Sequence, residues 1–319
     1  MGGNEIGAAI ATNVTYILNM VLLEVIVYRK AEFDKTRAGL PDKRALRNIW
    51  EYLKIGIPGA CMVCFEWWCF ELLAIFSGLI SVEALAAEVI IVNMVSFIFM
   101  FPLGTAYAAS AFTGVNLGRG KIDLAKKYAH LTLLFNFLVT ILIVGSIWYG
   151  KNRISTLFTQ DKATVEIIEA VIPVLMLYIC FDTFHGVLSG IIRGLGKQIY
   201  GSVFVLICYY VFGMPLALYL AFKKDMGVNG LWLGFTIAVS ILVIGLVLII
   251  ECSNWSKIAA DMQTKIDKEK LSNIQDSIRV GRRLRDEDYA GLSPNIAATR
   301  LIRAEALVLT QRSANRRSC

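Results

Sequence analysis

Apolar side chains run through this sequence in long stretches separated by short polar segments, with neither the strict alternation of half-buried strands nor the narrow stripes of soluble amphipathic helices. Seven stretches stand out, at roughly 5–28, 53–80, 84–112, 128–150, 164–192, 199–222 and 228–252. Each meets or exceeds the ~20 residues that cross a hydrocarbon core about 30 Å thick. They predict an all-α fold, a polytopic membrane bundle of about seven transmembrane helices, because lipid cannot satisfy the backbone groups of an open sheet edge. Pro58, Pro102, Pro173 and Pro215 fall within or at the edge of four stretches and mark expected kinks. The opening "MGGNEIGAAIATNVTYILNM" lacks a basic start and is too long for a secretory signal, so it reads as a membrane helix.

The polar segments give an orientation. Residues 29–49, 113–127 and 193–198 together carry 13 Lys and Arg, against five in the alternate connections at 151–162 and 223–224. The richer side is expected to be cytoplasmic, which places Met1 outside and the C-terminal tail inside. Two connections on that side are glycine-rich, "TGVNLGRGK" at 113–121 and "RGLGKQ" at 193–198. Neither is a phosphate loop: no glycine lies five residues before Gly120, and Ile122 stands where Ser or Thr would be required. They read as tight turns between packed helices.

Composition agrees with the pattern. Hydrophobic residues make up 56% of the 319, charged residues 18%, and mean hydropathy is +0.60, which excludes an ordinary soluble domain. The net charge of +7 is mostly a property of residues 253–319, which hold 13 Lys and Arg against 8 Asp and Glu, and suits an anionic membrane surface more than nucleic acid. Within this tail, 295–312 spaces its apolar residues as a surface helix would. Seven cysteines, mostly inside apolar runs, give no disulfide framework, and the Cys61/Cys64 pair with only two histidines elsewhere is a poor zinc site. The chain offers no catalytic nucleophile or nucleotide site, so no enzyme is expected.

Charge inside the spans is the chemistry to explain. "CFEWWCFELL" at 64–73 puts Glu66 and Glu71 in the second stretch, and Asp182 lies in the fifth, at a depth comparable to Glu66. A charge at the bilayer centre costs about 2.5–3.5 kcal/mol even on a lenient insertion scale, so such acids face a bundle interior or a wet cavity. Five residues separate Glu66 from Glu71, about 140° around a helix, so one face cannot present both. Glu88, Glu24 and Glu5 lie near span ends and, by analogy with interfacial charges that snorkel, read as protonated or backbone-paired groups serving helix packing. Asn93, Asn136, His185, Tyr209 and Tyr210 are weaker candidates, Tyr210 lying about as deep as the acids.

Several motifs carry a resemblance: "FEWWCFE" at 65–71, "MFPLGTAYAASAFTGVNLGRGK" at 100–121, "LFTQDKATV" at 157–165, "FDTFHGVLSGIIRGLGKQIYGS" at 181–202, and "YYVFGMPLALYLAF" followed by "GVNGLWLG". In this order the chain resembles the multidrug and toxin extrusion (MATE) family of transporters, eukaryotic type. The resemblance implies that 1–28 is the last helix of a first lobe, 29–49 a basic cytoplasmic linker, 50–252 a complete six-helix second lobe, and 253–319 a basic cytoplasmic tail. It implies cation-coupled antiport of small organic, possibly cationic, compounds, with the proton as coupling ion, sodium as the alternative, and no cofactor. The family's functional acids fall on Glu66, Glu71 and Asp182. An acid that some animal members carry nine residues before the third-span proline is Asn93 here. The host membrane is then the plasma membrane or a vacuolar or other endomembrane.

A family member has two six-helix lobes around a central cavity, so a first lobe is expected from the same gene or from a partner chain. Proton and substrate would compete for Glu66 and Asp182, and different affinities in inward and outward states would couple their flows. Two other classes compete with this reading: a seven-helix receptor, suggested by span count, and a transport-inactive half-lobe subunit.

Overall fold

The computed structural model describes residues 5–30, 49–268 and 270–271, and every regular element among them is helical. Seven helices are long and apolar enough to cross a membrane. They are α1 (Glu5–Arg29), α2 (Ile49–Ile80), α3 (Val82–Gly118), α4 (Ile122–Phe158), α5 (Lys162–Gly194), α6 (Gln198–Lys223) and α7 (Gly227–Glu251). A shorter helix, α8, follows at 255–268. The basic segment 31–48 and the surface-helix expectation at 295–312 lie outside the described residues. Met1–Ile57 and Pro58–Cys319 are separate compact units. In the first, α1 leaves almost all its described side chains exposed.

Glycine spacing sets the closest packing of the larger unit. Gly186, Gly190 and Gly194 repeat every four residues and share one face of α5. A methyl at Gly190 would fall on the backbone of Ala106, and one at Gly194 would come 2.8 Å from the Ser110 carbonyl oxygen. Backbone therefore meets backbone along α3 and α5, which form the most extensive helix pair, a common solution where lipid offers no hydrophobic drive between helices. α4 packs on both and is tied to α5 by a buried hydrogen bond between the Thr140 and Thr183 hydroxyls, 2.9 Å apart. α2 is attached differently. Its backbone stands off from its neighbours, and long side chains such as Met62, Phe70 and Leu73 bridge the gap.

Both glycine-rich segments are tight turns, in agreement with the sequence reading. Gly120 (φ 72°) and Gly196 (φ 70°) occupy the left-handed conformation that a β-carbon disfavours. In the first turn Lys121 N–H donates to Asn116 and Gly120 N–H to Leu117; in the second, Lys197 donates to Ile192 and Gly196 to Arg193. The two patterns are the same Schellman cap. α8 lies against both: Gln263 rests on Gly120, Met262 on Gly196, and the Lys197 ammonium donates to Ser253 Oγ at 2.9 Å. Trp255 and Ala259 are buried by this contact, so the start of the tail is part of the fold. At the opposite end of α5, Asp161 caps the helix by accepting from Thr164 Oγ1 (2.6 Å) and Thr164 N (2.9 Å), bonds that hold its carboxyl below the usual range. The stabilisation is complete above the ordinary aspartate range and is lost as pH falls through the depressed value.

α6 contains two π-helical segments, Ile207–Gly213 and Tyr219–Lys223, on either side of Met214–Leu218. Pro215 has no N–H to offer the preceding turn, so the chain widens its register there. Tyr209 and Tyr210 sit in the first wide segment.

Glu88 packs between helices through a side-chain bond: it is fully buried, with Oε2 accepting from Trp232 Nε1 at 2.8 Å, which ties α3 to α7. Glu88→Leu should orphan the indole N–H and cost about 1–3 kcal/mol, whereas Glu88→Gln retains an acceptor and should stay near wild type. Thermal unfolding of the purified variants separates the two outcomes.

Candidate functional site

The site grows from helical spacing on α5. Tyr178, Asp182 and His185 lie four and three residues apart, so one face of the helix presents all three. Tyr178 OH donates to Asp182 Oδ1 at 3.0 Å, and both side chains are buried. α2 brings Glu66 to the same place. His185 Nδ1 stands 3.4 Å from Glu66 Oε1 and 3.9 Å from Asp182 Oδ1, in ion-pair range but longer than an ordinary hydrogen bond. Polar atoms of Glu66, Asp182 and His185 all fall within 4.8 Å of one another.

Aromatic rings surround this group. Tyr209 meets the His185 ring edge-on with centroids 6.3 Å apart, and stacks on Phe235 at 4.7 Å. Phe235 stacks on Tyr178, and Trp232 and Phe70 close the cluster. Beside it, Glu66, Asp182, Trp67, Phe70, Ser96 and Phe99 are among the residues lining a narrow cleft, far smaller than the roughly 300–1,000 Å³ that small-molecule sites ordinarily enclose.

Of the five residues singled out in the sequence, Glu66 and Asp182 come together. Tyr210 stands next to them, its OH donating to the Phe65 carbonyl at 3.0 Å and so holding α2 at the turn that carries Glu66. Glu71 does not join: it is exposed on another face of α2, as the 140° rotation requires. Asn93 does not join either. It is exposed on α3, and its side-chain amide donates to Val89 O of its own helix at 2.7 Å. Sequence reasoning ranked His185 low and passed over Tyr178. The spacing Tyr178-x₃-Asp182-x₂-His185 on one helix was the signal that would have found both.

Comparison with known proteins identifies the family and the fold. The family model MatE matches residues 58–219. Protein DETOXIFICATION 14 of Arabidopsis thaliana is 32% identical over 267 residues, covering 83% of this chain and 55% of that protein. Multidrug and toxin extrusion protein 2 of Mus musculus is 32% identical over 261 residues, covering 82% and 45%. The crystal structure of the eukaryotic MATE transporter AtDTX14 superposes with a TM-score of 0.76 at 30% identity, over 82% of this chain and 58% of that one. This chain spans about half the length of the curated relatives it matches. With the match running from the proline of α2 into α6 and so across the helices that carry Glu66 and Asp182, the chain belongs to the MatE family of multidrug and toxin extrusion transporters.

Proposed function

We propose that this chain forms the carboxylate-bearing wall of a MATE-type antiporter that exchanges protons for small organic cations. The observation that carries the reading is the packing of Glu66 and Asp182 around one imidazole, inside helices long enough to span a membrane. Acids at such depth mark ion and substrate pathways, and here they sit beside a narrow cleft. Trp67 and Trp68, both exposed next to Glu66, offer the aromatic faces that organic cations favour. A second lobe, from the same gene or a partner chain, supplies the opposite wall. The relatives' greater length and the narrowness of the cleft support this reading. The two Schellman turns and α8 face the cytoplasm, the lysines and arginines there supporting the orientation.

The test is proteoliposome flux with the complete gene product, using a panel of organic cations under imposed proton or sodium gradients. Uptake of at least one cation driven by an opposing proton gradient is the expected result. Failure of every cation with both gradients, in monodisperse protein, would favour the half-lobe subunit over the transporter.

A further inference from the structure

We propose that His185 is a tethered cation of this site: its imidazolium occupies Glu66 and Asp182 when no substrate is bound, and gives up its proton when an organic monocation takes its place. The inference rests on the reading of the site as a cation carrier and names the group that holds the exchangeable proton.

The geometry leaves little alternative use for the ring. His185 is 1% exposed, with two carboxylates at 3.4 and 3.9 Å, and neither ring nitrogen has a hydrogen-bond partner among the described residues. A neutral ring there would leave two acids facing each other with no positive charge between them. An imidazolium puts one charge in reach of both acids.

Besides His185, the basic side chain of Arg193 is in electrostatic reach of Glu66. Glu66 faces the ring from α2, Asp182 and Tyr178 belong to α5, and Tyr209 comes from α6. α3 lines the adjoining cleft with the uncharged Val95, Ser96 and Phe99, and α7 adds Trp232 and Phe235 to the ring cluster. Arg193 is eight residues further along α5, about 12 Å along the helix axis from the histidine at 1.5 Å per residue, so it adds positive charge on the Glu66 side and leaves the imidazole as the cation placed between the two acids.

Charge then fixes the stoichiometry. With both carboxylates ionised and the imidazole protonated, the group carries one net negative charge. When the N–H bond of the imidazolium breaks, its proton leaves to water, the bonding pair stays on nitrogen, and a bound monocation restores the same net charge. No electron is transferred, and one proton leaves for each cation bound.

The chain has two histidines, and the other, His130, is exposed, with its ring on the Lys126 carbonyl. His130→Gln therefore leaves His185 as the sole histidine, so ¹⁵N-histidine NMR of the 319-residue chain in lipid nanodiscs reads its protonation directly. At about pH 7 the expected spectrum is that of an imidazolium, converting to a neutral ring as tetraethylammonium is added. Glu66→Gln in the same background should reduce the imidazolium signal. In weakly buffered solution, wild type should release one proton per bound tetraethylammonium, and His185→Gln should bind the probe with none. A neutral ring before the probe is added overturns the proposal. So does undiminished proton release from His185→Gln, which would assign the proton to a carboxyl group. If tetraethylammonium binds the complete gene product but not this chain, the histidine spectrum alone decides the resting state of His185; if it binds neither, the cation-carrier reading for this probe falls instead.

Discussion

In the complete gene product, Glu66→Gln is expected to leave a folded protein in which the proposed transport is lost. Glutamine keeps the length of the side chain and most of its hydrogen-bonding capacity, and Glu66 is only 12% exposed, so the packing against α5 should survive. The negative charge next to His185 would not. Without it neither the imidazolium nor a bound cation has its partner on α2, so gradient-driven flux should fall close to background. Asp182→Asn should act similarly, because its Oδ1 both receives the Tyr178 hydroxyl and faces the imidazole. Glu71→Gln, on the exposed face of α2, should retain most of the activity. The measurement is proteoliposome flux against pH for the three variants, each first shown to be monodisperse. Full flux with an unchanged pH profile in Glu66→Gln would make this acid a packing residue.

The second large effect is expected from the smallest change, Gly190→Ala. Its new methyl would meet the backbone of Ala106, which no rotamer can move aside, so α3 and α5 would have to separate along their whole contact. Overpacking usually costs about 1–3 kcal/mol, and a clash with backbone belongs at or above the top of that range. Gly145→Ala provides the control, since nothing lies within 4 Å of the added carbon on α4. There the better helix propensity of alanine should be neutral or stabilise by up to about 1 kcal/mol. Opposite shifts in thermal unfolding from one chemical substitution would establish that α5 is located by its glycine face. Equal shifts would contradict it.

What could be read in the sequence was whatever depends on a single helix. The apolar runs predicted the spans, since length alone decides whether a helix can cross lipid, and the glycine turns at 120 and 196 followed from local backbone requirements. The separation of Glu66 from Glu71 was legible for the same reason: it is a rotation within α2. Relations between helices were not. Nothing in the sequence near Glu88 names Trp232, 144 positions later, as its partner, so its place near a span end points to a structural role and not to the buried bond that fulfils it. His185 was undervalued because its importance comes from Glu66 on another helix, and a lone histidine in an apolar run looks like core.

The contrast between glycine contact and side-chain spacers divides the site into a fixed and a compliant half. Asp182 and His185 ride on α5, whose backbone is locked against α3, so the separation between these two behaves as a property of rigid material. Glu66 rides on α2, held off by Met62, Phe70 and Leu73, and side chains can change rotamer where backbones cannot move. Thermal agitation therefore works mainly on the distance between Glu66 and the other two. In the proposed exchange that distance would also set how tightly a cation is gripped, which gives the site the construction of a vice with one fixed jaw.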